Sequence, residues 1–130
     1  MAVQNNSILI AKKAKQALEK IKGEKKYLDT EFIHFLNGFP SFISQNGLLQ
    51  ALAFVSDKHP KLYKEMEVFF EEKRDKNFIS TLINSGDITT YIMYQKRAVS
   101  YSIWLKRLAN ALYKKEENGE GKKANYEEQV

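Results

Sequence analysis

Apolar residues recur at three- and four-residue intervals along most of the chain. Ile8, Ala11, Ala14, Leu18 and Ile21 form the first series, the period of a helix with one buried face. Ser7 is placed to cap this helix and Gly23 to end it, with Lys12, Lys13, Gln16 and Lys20 on the other face. Thr30 then precedes Glu31 to Gly38, a segment that reads as a short helix with a capping residue and a terminal glycine. Pro40 suits the first turn of a third helix running to about Ser56, with Ile43, Leu48, Ala51, Leu52 and Val55 inward. Gly47 inside that series predicts either close helix packing or a bend.

His59-Pro60 closes the third helix and opens a fourth carrying Leu62, Met66 and Phe69. Asp75 is placed to cap a short helix with Phe78, Ile79, Leu82 and Ile83, ending near Gly86. Asp87 caps the last and longest helix, predicted to run to about Lys115. The pattern specifies an all-α fold: a compact single-domain bundle of five to six helices over residues 1–115. Residues 116–130 are almost devoid of apolar side chains and are expected to form a disordered polar tail. Two prolines and six glycines are too few for the frequent turns of an all-β sandwich.

Composition excludes several kinds of chemistry. With no cysteine in 130 residues, disulfides, thiolate metal sites and cysteine nucleophiles are impossible. The uncharged stretch from Phe32 to Val55 holds too many Asn, Gln, Ser and Gly residues to sit in a membrane. Met1 to Ser7 shows no basic segment leading into an apolar run, so a cytoplasmic protein is expected. His34 and His59 are the only histidines, and neither is followed three or four residues on by a His or carboxylate. Both read as surface or core-edge residues rather than metal ligands. Glu71, Glu72 and Asp75 share their segment with Lys73, Arg74 and Lys76, which favours ion pairing over acid–base catalysis. No glycine-rich phosphate loop or nucleophile elbow is present. No enzyme, metal or cofactor is expected.

The net charge of +5 permits a polyanionic partner without requiring one. Its distribution says more. Residues 88–115 carry six bases (Lys96, Arg97, Lys106, Arg107, Lys114 and Lys115) and no acid, whereas residues 116–130 carry two bases and five acids. On a helical wheel Tyr91, Tyr94, Ala98, Tyr101, Ser102, Leu105, Leu108, Ala109 and Leu112 share one inward arc. Lys96, Arg107 and Lys114 superpose on the far side, a row about 27 Å long at 1.5 Å per residue. Arg97, Trp104 and Lys115 flank it, and Lys106 lies at the opposite margin. Such a row fits the repeat of a nucleic-acid backbone and equally a solvated face. Trp104 is placed either to stack on a base or a partner or to form part of the core edge.

Two segments carry a resemblance. Phe39-Pro40-Ser41 leads through Asn46-Gly47-Leu48 into Leu52-Ala53-Phe54, and Tyr91 is followed by Trp104-Leu105-Lys106-Arg107-Leu108-Ala109-Asn110-Ala111-Leu112. In this order and separation they resemble the small subunit of the type III-B CRISPR effector, the Cmr complex. The match spans about Phe39 to Leu112. It implies a non-catalytic, all-helical protein. Several copies would stack as a filament along the backbone subunits, beside the guide RNA, and help bind target RNA. Backbone and large subunits, further copies, guide RNA and target RNA are the implied partners, with no membrane. Lys106 and Arg107 match basic family positions, while Asn46, Gly47 and Leu48 match a motif whose implied role is packing. Ile92 and Arg97 depart from the pattern, where an arginine and an acidic residue are usual. Lys96, Arg97, Lys114, Lys12, Lys13 and Lys20 are therefore candidates on charge and position alone.

Two other readings remain at this level. One is a free-standing helical DNA-binding regulator, although Tyr27–Asp57 holds no Lys or Arg to dock a recognition helix on phosphates. The other is a protein-only scaffold whose basic row meets an acidic partner.

Overall fold

Among the described residues six helices make up the fold: α1 (Asn6–Lys22), α2 (Thr30–Asn46), α3 (Leu48–Lys58), α4 (Pro60–Phe69), α5 (Phe78–Ser85) and α6 (Ile88–Leu112). The computed structural model describes residues 6–70 and 78–115. The expected tail over 116–130, the Asp75 cap, the charged run Glu71–Lys76 and Met1–Asn5 lie outside the described residues.

α6 is the spine, packed along α2 on one side and α1 on the other. Its inward face is Ala98, Tyr101, Ser102, Leu105 and Ala109, all fully buried. Tyr91, Tyr94 and Leu108 are half-buried, and Leu112, expected inward, is exposed at the helix end. Opposite them stand Ala14, Ala17 and Leu18 of α1 and Ile33, Leu36, Phe39 and Ile43 of α2. α3 and α4 pack on each other and complete the core with Leu48, Leu52, Val55, Leu62 and Met66. One end of the core is aromatic. Phe69 stacks on Tyr101 with ring centroids 4.1 Å apart, Phe70 stacks on Phe78 at 4.6 Å, and Tyr94 meets both Phe70 and Phe78 edge-on. These rings join α4, α5 and α6.

The second and third helices differ from expectation. No break falls at Gly38 or Pro40; α2 runs through both to Asn46. Proline has no N–H for the carbonyl four residues back, Leu36 here, and normally bends or ends a helix. Continuity keeps Phe39 and Ile43 on the face that Ile33 and Leu36 already bury, and that burial outweighs one hydrogen bond. Ser7 lies inside the first turn of α1, and Thr30 is the first residue of α2 after Asp29 at its N-cap. α6 ends at Leu112, three residues short of Lys115.

The break falls at Gly47 instead, where φ is 89° and ψ is 156°, a conformation open essentially to glycine only. α3 starts immediately after it with no local side-chain cap. Its first two free N–H groups are received by α6: Leu48 N donates to Gln95 Oε1 at 2.9 Å and Leu49 N to Tyr91 Oη at 3.1 Å. A Cβ on Gly47 would sit 3.2 Å from that same Tyr91 oxygen. The start of α5 is received in the same way. Phe78 N donates to Glu67 Oε2 at 2.9 Å, and Ile79 N lies 3.4 Å from Tyr63 Oη, both acceptors on α4. α6, by contrast, is capped locally by Asp87, which accepts from Thr89 N and from the Thr90 hydroxyl. At the far end of α6, Leu28 N donates to Tyr113 O at 2.9 Å, and the Tyr113 hydroxyl donates to Glu19. Both ends of the spine are thus tied to its neighbours.

Two alanine substitutions separate the two glycines. Gly47→Ala imposes a Gly-only conformation and crowds Tyr91, and should destabilise by about 1–3 kcal/mol. Gly38→Ala lies mid-helix with open space around the new methyl, and should stabilise by about 0.5–1 kcal/mol. Urea unfolding followed by circular dichroism measures both, and equal effects would contradict the placement of the break. Tyr91→Phe leaves the Leu49 amide without its acceptor and should cost about 1–3 kcal/mol by the same measurement.

Candidate nucleic-acid interface

Tyr91 and Gln95 point at α3, so the rotation of α6 is set, and the residues that face out follow from it. Ile92, Met93, Lys96, Ser100, Lys106, Arg107 and Ala111 are exposed. Among the described residues no ion pair involves Lys96, Lys106 or Arg107. From Lys96 to Arg107 the helix rises about 16 Å. The expected 27 Å row is shorter than that as a helical feature, because Lys114 lies beyond the helix end, exposed. Exposed apolar side chains stand one turn before the first cations: Ile92 and Met93 are each about half exposed.

Arg97 differs from its neighbours. It is half-buried, with its guanidinium 5.0 Å from the Phe69 ring centroid and 5.7 Å from that of Phe70. The Lys13 ammonium of α1 lies 5.9 Å from the same Phe69 centroid. Two cations from two helices therefore share one ring, held by the attraction between positive charge and a π face, and Phe69 in turn stacks on buried Tyr101. Lys13 and Arg97 are thereby brought together at one edge of the α6 face. Lys12 and Lys20 are exposed on α1. Lys20 acts electrostatically on Glu65, whose carboxyl is held above its ordinary value chiefly by burial and eased back by that lysine. Trp104 is half-buried and packed against the core, on the same side as Arg97. Lys106 lies toward α2, where Asn110 bridges its carbonyl oxygen to Asn37 Oδ1, both at 2.8 Å.

Sequence reasoning missed the seat beneath Arg97 and Lys13, because Phe69 and Phe70 come from a different helix. It also missed Gln95. The signal was there in part: Gln95 stands four residues after Tyr91 and so shares its face.

The Asn46, Gly47 and Leu48 motif has a structural part. Asn46 Nδ2 donates to Phe42 O within the last turn of α2, Gly47 turns the chain, and Leu48 enters the core while its amide is capped by Gln95. His34 is exposed. His59 is half-buried among three phenyl rings, with centroids 4.4 Å from Phe35, 5.4 Å from Phe32 and 6.3 Å from Phe54. Among the described residues no group of three or more His, Cys, Asp or Glu is placed to hold a metal ion, and no helix is long and apolar enough to cross a membrane.

An all-helical fold among the described residues, with a long basic α6 whose Tyr91 meets the Asn46-Gly47-Leu48 segment at one helix cap, defines the class. The sequence profile of one family, described as CRISPR-associated protein (Cas_Cmr5), matches residues 9–112. The crystal structure of a CRISPR-associated Cmr5 family protein from Thermus thermophilus is similar in fold. Its TM-score is 0.68 at 23% identity, over 85% of this chain and all of that one. No curated protein sequence matches significantly. The chain belongs to the Cmr5 family, and is accordingly a small subunit of the type III-B Cmr complex of CRISPR defence.

Burial holds the His59 imidazole below its ordinary value of 6.5. The unfolded chain then binds a proton that the folded chain resists, so stability falls as pH drops below about 6.5. An NMR titration should place the His59 midpoint below that value. His59→Phe should flatten the loss of thermal stability between about pH 7 and 5; an unchanged slope would contradict the assignment.

Proposed function

We propose that this chain is a non-catalytic, RNA-facing subunit that stacks as a filament along the guide-RNA-bearing backbone of the Cmr complex and helps bind target RNA. The observation that carries this reading is the outward face of α6. Lys96, Lys106 and Arg107 stand exposed on a helix without an acidic residue, with Arg97 and Lys13 at its edge. Lys114 just beyond the helix and Lys12 and Lys20 on α1 extend the positive surface.

Such a surface suits the task. Where a guide RNA supplies sequence recognition, the protein needs backbone and shape contacts rather than base reading. Each lysine or arginine that displaces counterions from a phosphate adds affinity that falls steeply with salt. A single copy offers few such contacts and binds weakly, whereas a row of copies adds them along one strand. Exposed Ile92 and Met93 and half-buried Trp104 supply apolar area near the charges, material for stacking on a base or packing on another subunit. The duplex-DNA alternative gains nothing from the structure: α3 lies in a stretch from Tyr27 to Asp57 without Lys or Arg, and its start is tied to α6.

Replacing Lys106 and Arg107 together by glutamate should leave the helical circular-dichroism spectrum intact. Target-RNA binding by the assembled complex should weaken by at least about tenfold at near-physiological salt. Unchanged binding, with the variant present in the complex, sinks the RNA-facing assignment.

A further inference from the structure

Three asparagine–glycine pairs stand in the chain: Asn37-Gly38, Asn46-Gly47 and Asn118-Gly119. The last lies outside the described residues. Asparagine is a thermally labile residue, and most so before glycine, whose backbone nitrogen no side chain hinders. That nitrogen loses its proton and attacks the asparagine Cγ. The new N–Cγ bond closes a five-membered succinimide, the Cγ–Nδ2 bond breaks, and ammonia leaves. Water then adds to either ring carbonyl and opens the ring to aspartate or isoaspartate. Base speeds the reaction, and water is its only co-reactant. Ring closure needs the glycine nitrogen brought onto Cγ, which a helical backbone does not do.

The two described pairs share α2 but not their surroundings. Asn37-Gly38 sits in mid-helix, with the Asn37 side chain accepting from Asn110 Nδ2 at 2.8 Å. Asn46 is the last residue of α2 and exposed, and Gly47 is the turn after it. The last turn of α2 holds both reacting groups: Gly47 N donates to Ile43 O at 2.8 Å, and Asn46 Nδ2 donates to Phe42 O at 3.2 Å. On the other side of Gly47 the chain is held through α3, whose first amides go to Gln95 and Tyr91 of α6. Helix ends open locally more readily than helix interiors, so the clamp from α6 decides how often Gly47 is free to move.

We propose that Asn46 is a modification site of the folded chain, deamidated through the Gly47 nitrogen whenever the cap at the start of α3 opens. The isoaspartate product lengthens the main chain between residues 46 and 47 by one carbon atom. The Leu48 and Leu49 amides then no longer meet Gln95 and Tyr91 together, and the contact that sets the rotation of α6 is lost. The new carboxylate also stands at the C-terminus of α2, where the helix dipole disfavours negative charge. The modification accumulates with the age of the chain, and it does not depend on RNA binding by α6.

The full 130-residue protein is aged at mildly alkaline pH, folded and in urea, with each Asn-Gly pair followed separately by peptide mass spectrometry. In urea Asn37 and Asn46 should be lost at similar rates. In the folded protein Asn46 should be lost about tenfold or more slower than in urea, and Asn37 about tenfold or more slower again. Both isoaspartate and aspartate should form at Asn46. Tyr91→Phe should speed the loss of Asn46 about fivefold or more, the equilibrium effect of one missing amide acceptor, whereas Tyr113→Phe at the far end of α6 should leave it unchanged. Hydrogen-exchange protection of the Gly47 amide in the unsubstituted protein should match the slowing of Asn46 within about tenfold, because both report the same opening. Equal rates for Asn46 folded and in urea would overturn the gating by the cap. Loss of Asn37 as fast as Asn46 in the folded protein, aspartate without isoaspartate, or an equal response to Tyr113→Phe would overturn it too. So would an Asn46 that stays intact in both the folded protein and the Tyr91→Phe variant.

Discussion

The start of α3 is the contact on which the rest of the structure depends. Two amides that no local side chain caps are received by Gln95 and Tyr91, four residues apart on α6. A half-buried N–H without an acceptor costs about 1–3 kcal/mol, so this arrangement holds α6 to one rotation and one axial position. It also explains why the turn between α2 and α3 is a glycine, since any Cβ there would press on the Tyr91 oxygen. One residue of the second motif, Tyr91, thus meets the Asn46-Gly47-Leu48 segment of the first at this helix cap.

That rotation has a direct electrostatic consequence. Gln95 and Lys96 are neighbours in sequence and about 100° apart around the helix. Once Gln95 faces α3, Lys96 is turned toward solvent, and Arg107, three turns further on, is turned with it. A cap that serves stability therefore also orients the cationic surface. Arg97 sits at the edge, and the rings of Phe69 and Phe70 hold it there with Lys13. Like charges on two helices would otherwise move apart, and the shared π face offsets that repulsion. Net charge alone conveyed little of this; the arrangement comes from one helix being fixed against its neighbours.

Much of the fold was legible because its signals are local. Asp87 caps α6 through its own side chain, His59-Pro60 separates α3 from α4, and apolar spacing identified most buried positions of α1, α3, α4 and α6. Gly38 and Pro40 misled because their propensities are also local, yet α2 is held by Phe39 and Ile43 packed against other elements. Propensities of a few tenths to about 3 kcal/mol give way when several apolar side chains would otherwise leave the core. The candidate interface was half legible. Its charges and their helix could be read, but not the shortening at Leu112 or the ring seat of Arg97.

Sequence alone determined that the chain forms helices with one buried face each, that its last helix is basic and free of acids, and that no cysteine chemistry is available. These follow from periodicity and composition, which need no neighbour. The tertiary structure decided where α2 stops, which amides of α3 and α5 are capped and by what, and which cations face solvent or rest on aromatic rings. Each of these depends on a partner distant in sequence, forty-two and forty-seven residues away for the α3 amides. Such pairings arise only when helices pack, because the free energy that selects them is that of burying both partners together.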